Sequence, residues 1–191
     1  VTKKEMMAQL QGLGERMTPR DTAVVFFSGH GHRDTAGNQF LVPVDVNPNA
    51  LNQSCISGEY LKNALGDLPG RVIAVMDSCF SGGAAQGTKR RAQFEELVRD
   101  LVSDDYGVIV LCSSSSDEVS FENTAVKAGF FTTALVEGLA GKGDINGDGQ
   151  IYLNELEGYA ARRTRELSRG QQNPIFAKPP NMQWFPLATT K

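Results

Sequence analysis

The sequence predicts an α/β fold with a largely parallel central sheet flanked by helices. Three observations carry that expectation. Near-continuous apolar runs recur at Thr22–Phe27, Arg71–Met76 and Gly107–Cys112, the pattern of strands buried on both faces. Segments with helical spacing alternate with these runs. The connections are short, as crossovers that pack back onto one sheet require.

Each element has its own signal. Thr2-Lys3-Lys4-Glu5 reads as a capping box, and Met6, Met7, Leu10, Leu13 and Met17 follow along one helical face. Pro19 and Asp21 punctuate before the first apolar run. Phe40 to Val46 is a short apolar stretch broken by Pro43, which suits an edge strand or hairpin arm. Ser57 is placed to cap a helix from Glu59 to about Leu68. After the second run, Phe94 to Val102 has helical periodicity, and Phe130–Leu139 and Leu153–Leu167 follow the third run as two further helices. Gly82 to Gln93 is rich in Gly and Ala, lacks periodic apolar positions, and reads as an exposed, mobile loop.

Composition narrows the function. The 191 residues suit one domain, and 40% hydrophobic with 21% charged residues is the balance of a globular chain. The net charge of −3 argues against an electrostatic nucleic-acid binder. The apolar runs are far shorter than a membrane span, and no signal-peptide pattern opens the chain. Because it begins with Val1, the expectation is a fragment or processed product of a longer protein. Cys55, Cys79 and Cys112 include no CxxC pair and form neither a disulfide framework nor a metal cluster, which favours a cytoplasmic site.

The chemistry collects at the ends of two buried runs. The first leads into Phe27-Ser28-Gly29-His30-Gly31-His32, the second into Met76-Asp77-Ser78-Cys79-Phe80-Ser81-Gly82-Gly83. In parallel sheets, ligands bind beyond the carboxyl ends of the strands. If the two strands are neighbours, a His and a Cys from the two loops come within reach. That pairing suits covalent acyl transfer, in which a thiolate attacks a carbonyl and imidazole handles the protons. The neighbouring glycines would let the backbone turn and a substrate approach closely, and the amides of Gly31 and Cys79 are candidate oxyanion donors.

Phe26-Phe27-Ser28-Gly29-His30-Gly31 and Asp77-Ser78-Cys79-Phe80-Ser81-Gly82 resemble the paired His and Cys motifs of caspase-like cysteine peptidases, most nearly the bacterial metacaspase relatives called orthocaspases. Gly129-Phe130-Phe131-Thr132-Thr133-Ala134-Leu135, Leu156-Glu157-Gly158-Tyr159 and Gln172-Asn173-Pro174 are similar to the small-subunit half of that family. The resemblance runs from about residue 20 to about residue 178. It implies a three-layer sandwich with a large-subunit-like part at about 1–82, an exposed loop at about 83–93 and a small-subunit-like part at about 94–191. It also implies a bacterial cysteine endopeptidase with His30 and Cys79 catalytic and Gly31 at the oxyanion hole, needing no cofactor for its chemistry. Ser28 and Asp77 match specificity-pocket positions, while His32 matches no required position. A carboxylate at Asp77 opposes thiolate formation nearby and makes better sense as a counter-ion for a basic substrate side chain, so cleavage after Arg or Lys is expected. Lys89-Arg90-Arg91 would then be a self-processing site, against the plainer reading of a solvated charge run.

The chain departs from the family at its start, where a first strand is missing. Its absence would leave an exposed edge for a separate segment or chain to complete, and could remove a second acidic pocket residue; Asp117, Glu118 and Glu122 are weak substitutes. Separately, Asp144 to Glu155 fits D-x-[DN]-x-[DN]-G-x₅-E, giving Asp144, Asn146, Asp148, the Gln150 carbonyl and Glu155 as oxygen ligands for Ca²⁺. The alternative is a helix–helix turn built from the same residues. Partners reduce to a peptide or protein substrate, with neither nucleic acid nor membrane. Rival functions are an idle caspase-like module responsive to calcium, or a same-fold peptidase of different specificity.

Overall fold

The computed structural model describes residues 1–79, 95–113, 122–123 and 128–190, and only the backbone of Cys79, Glu122 and Asn123. Helix α1 (Lys3–Arg16) precedes strand β1 (Thr22–Arg33) and its hairpin arm β2 (Gln39–Leu41). The one-turn helix α2 (Leu51–Ser54) and strand β3 (Ile56–Ser57) lead into α3 (Gly58–Gly66) and strand β4 (Arg71–Cys79). Helix α4, described over 95–101, is followed by β5 (Val108–Cys112). The two-residue strands β6 (Glu122–Asn123) and β7 (Ala128–Gly129) precede α5 (Phe130–Glu137) and a π-helical turn at Gly138–Lys142. Strand β8 (Gln150–Tyr152), helix α6 (Leu153–Leu167) and strands β9 (Ile175–Ala177) and β10 (Pro186–Thr189) complete the order.

The main sheet runs β3-β2-β1-β4-β5-β9. Its centre, β1-β4-β5, is parallel, and its margins are antiparallel. The margin at β2 follows from a connection too short for a crossover. Asp34 accepts from the amides of Gly37 and Asn38, and Gly37 turns the chain at a φ of 97°.

Two apolar clusters sandwich the sheet. Alternate residues Val72, Ala74 and Met76 of β4 face α1, α3 and α4, while Ile73 and Val75 face α5 and α6. All five residues of β5 are buried, which explains its unbroken apolar run. The capping signals form as read: Glu5 N donates to the Thr2 hydroxyl at 3.3 Å, and Tyr60 N donates to Ser57 Oγ at 3.1 Å. Helix α5 ends at Glu137, two residues before its sequence signal does, because Gly138, Gly141 and Gly143 loosen the chain; Gly141 sits at a φ of 121°.

The edge of β1 is open. Over residues 22–29 it pairs with β4 on one side and, among the described residues, with no strand on the other. Between this edge and α1 lies a groove of about 800 Å³ lined by Met6, Leu10, Leu13, Val25 and Phe27. The groove explains why no residue of α1 is fully buried. On the opposite face of β1, Val24 and Phe26 are 62% and 49% exposed. No helix of the described residues is long and apolar enough to cross a membrane.

Candidate active site

The two motif-bearing strands are neighbours. β1 and β4 run in parallel register, with Ser28 opposite Asp77, Gly29 opposite Ser78 and His30 opposite Cys79. Adjacent strands lie about 4.8 Å apart, and partners in register project to the same face. His30 and Ser28 are both exposed. The face they share with Asp77 is that of Ile73 and Val75, toward α5 and α6.

Sequence alone puts the His and Cys motifs in loops, and the structure corrects this. β1 continues through His30 to Arg33, and β4 continues to Cys79. Gly29 and Gly31 are not at turning φ values. They remain extended because the ladders to β4 and β2 supply backbone partners. At Gly29 the missing side chain instead makes room for a ring: a Cβ there would lie 3.0 Å from Phe27. His32 likewise lies in the ladder, opposite Phe40, and is half-buried.

The ladder also orients Gly31. Val42 N donates to His30 O at 2.9 Å, so in the antiparallel alternation the Gly31–Leu41 pair is the non-bonded one. The Gly31 amide is therefore directed away from β2, toward the side on which β4 ends.

Asp77 is 6% exposed, and one carboxylate oxygen accepts a hydrogen bond from the Thr132 hydroxyl of α5. Thr132 lies within the quoted segment Gly129–Leu135, but its pairing with a residue 55 positions away left no mark in the sequence. Gln172 is fully buried, and its side-chain amide donates to Ser113 O at 2.7 Å, tying the segment after α6 to the end of β5. Lys89, Arg90 and Arg91 lie outside the described residues, as do Asp117 and Glu118; for Glu122 only the backbone is described.

A family model described as a caspase domain matches residues 1–181. The chain belongs to the caspase-domain family. It is a family of cysteine peptidases, and the mixed α/β sandwich agrees with that membership. Among solved structures, protein GSU0716 from Geobacter sulfurreducens has 16% identity and a TM-score of 0.68, over 100% of this chain and 80% of that one. Caspase-1 from Spodoptera frugiperda has 15% identity and a TM-score of 0.49, over 100% of this chain and 73% of that one. No curated protein sequence matches significantly.

Within this caspase-domain chain, the loop at 144–155 is a self-bonded structure. Asp144 accepts from the amides of Gly147 and Gly149 at 2.8 and 3.0 Å, and from the Thr190 hydroxyl at 3.2 Å. Asn146 accepts from Asp148 N, and Asp148 from Gln150 N, both at 2.8 Å. Glu155 accepts from the amides of Ile145, Asn146 and Tyr152. The oxygen donors suit a hard cation. Among the described residues, however, no three His, Cys, Asp or Glu side chains are grouped to hold an ion. Among the described residues, no second loop of this kind pairs with β8; its partner is β10.

Proposed function

We propose that the chain is a cysteine endopeptidase acting through Cys79 and His30. The observation that carries this reading is the register of His30 opposite Cys79 on the last rung of the parallel ladder between β1 and β4. Imidazole takes the thiol proton, the sulfur adds to the scissile carbonyl, and the proton then passes to the leaving amine. Water next cleaves the thioester. The Gly31 amide, directed away from β2 toward the side on which β4 ends, supports a role in holding the oxyanion. Active-site titration with a thiol-reactive peptide analogue tests the reading. Stoichiometric labelling lost in Cys79→Ala supports it, and absence of labelling favours the idle interaction module.

The buried carboxylate of Asp77, beside exposed Ser28, supports cleavage after Arg or Lys. Reporter peptides ending in Arg, Lys and Asp decide this; hydrolysis confined to Asp would overturn it. An enzyme of that specificity would find a substrate in its own Lys89-Arg90-Arg91, and a nick that persists in Cys79→Ala would assign the cut to another protease. We further propose that an extended apolar strand from another segment or chain completes the edge of β1, as the groove under α1 suggests. For the loop at 144–155, its oxygen donor set and pattern support calcium, with a self-sufficient turn as the rival. Calcium titrated into metal-stripped protein separates the two, since a plain turn gives neither heat nor stabilisation.

A further inference from the structure

We propose that Thr132 is a positioning residue that fixes the Asp77 carboxylate for a basic substrate side chain, in a space left open by Gly129. The inference rests on reading Asp77 as the acid of the substrate pocket.

Asp77 follows Ile73 and Val75 on the face of β4 that packs under α5. Helix α5 begins after Gly129, whose φ of −60° and ψ of 151° are open to any residue. An N-cap of this geometry ordinarily favours Ser, Thr, Asp or Asn, whose side chains accept from the first free amides. Gly129 offers no such side chain, and backbone conformation does not require it to be glycine. Space does: a Cβ on Gly129 would lie 3.1 Å from Asp77 Cγ and Oδ1, and closer still to Oδ2. The carboxylate from β4 thus fills the place of the missing cap side chain.

Two adjacent threonines in the first turn of α5 then divide their work. Thr133 donates back to Gly129 O at 2.9 Å, a bond internal to the helix. Thr132 donates across to Asp77 Oδ2, and among the described residues it is the one side chain hydrogen-bonded to that carboxylate. This bond sets the plane of the carboxylate while leaving Oδ1 for a second partner. A fixed plane matters most to a guanidinium, whose rigid fork demands bidentate alignment, and less to the point charge of an ammonium. Thr132 therefore favours Arg over Lys at the cleaved bond.

The test is steady-state kinetics of the full chain on Arg- and Lys-terminated reporters. Thr132→Val keeps the shape of the side chain and removes the donor. The expected result is a KM for the Arg reporter raised by roughly tenfold, a smaller rise for Lys, and little change in kcat. Thr132→Ser restores the Arg preference. Gly129→Ala, which keeps the hydroxyl but crowds the carboxylate, shifts KM in the same direction and stands in if the Val variant fails to fold. Unchanged KM values in folded Thr132→Val or Gly129→Ala, while Asp77→Asn loses basic cleavage, would overturn this inference and leave the pocket reading intact. Basic cleavage that survives Asp77→Asn, or a wild-type protein that cuts neither reporter, would overturn the pocket reading itself.

Discussion

His30 and Cys79 are register partners on the last rung of the parallel ladder between β1 and β4, and Ser28 and Asp77 are partners two residues earlier. Four positions thereby form a square on one face of the sheet, with the proposed chemistry at one edge and the proposed specificity at the other. The buried strand β4 sets this register firmly, since a slip of one residue would turn Ile73 and Val75 out of their cluster.

A dyad acting as a unit gives non-additive losses. His30→Ala and Cys79→Ala should each lower kcat/KM by about 10³-fold or more, and the double variant should be no worse than the more damaging single one. Losses that multiply in the double variant would mean the two residues act independently.

The thiols should separate cleanly. Burial pushes Cys112 up to about 12, and raises Cys55 as well. Both are buried and stay protonated at mildly alkaline pH. Brief alkylation of the native protein should therefore modify Cys79 alone, and Cys79→Ala should take up no label on that timescale. Mass mapping checks this, and modification of Cys112 at a comparable rate would contradict it.

Acid stability should depend on Glu137. Its carboxylate accepts from Arg163 Nε at 2.9 Å and from the Tyr159 hydroxyl at 2.7 Å, with Lys142 Nζ at 3.3 Å. Led by the Arg163 bond, these partners hold its pKa down from the ordinary 4.5 to about 2. A depressed carboxylate stabilises the fold above its unfolded pKa, and that contribution disappears as pH falls toward the folded value. Glu137→Gln should lower the thermal midpoint near neutrality, and the gap from wild type should close between about pH 4.5 and about pH 2. A constant gap across that range would assign the effect to packing.

The core beneath the site should tolerate little loss of volume. Phe131 is fully buried and meets Phe176 edge-on, with centroids 6.0 Å apart. Phe131→Ala should cost about 3–5 kcal/mol, measured by denaturant unfolding with an unchanged m-value. A cost under about 1 kcal/mol would mean that the surroundings collapse onto the vacancy.

The central strands were legible because β4 and β5 are covered on both faces, which leaves an apolar run with no need of context. Thr2 with Glu5, and Ser57 with Tyr60, were legible because capping is local. Ile175–Ala177 was not, since three half-buried residues become a strand only through pairing with β5. Gly29 and Gly31 misled for the same reason: their weak local preference for strand is overridden by pairing, of Gly29 with β4 and of Gly31 with β2. The motifs singled out His30, Cys79 and Asp77 as candidates, but the pairing of Asp77 with Thr132 depends on how α5 docks on the sheet.

The clasp between β8 and β10 joins stretches of chain that are far apart in sequence. Thr190 N donates to Gly149 O at 2.9 Å, and its hydroxyl reaches Asp144. The tail and the acidic turn consequently share one opening equilibrium. Their amides should exchange with deuterium in concert, and trimming the chain before Pro186 should loosen residues near Asp144 while leaving the paired strands β1 and β4 protected.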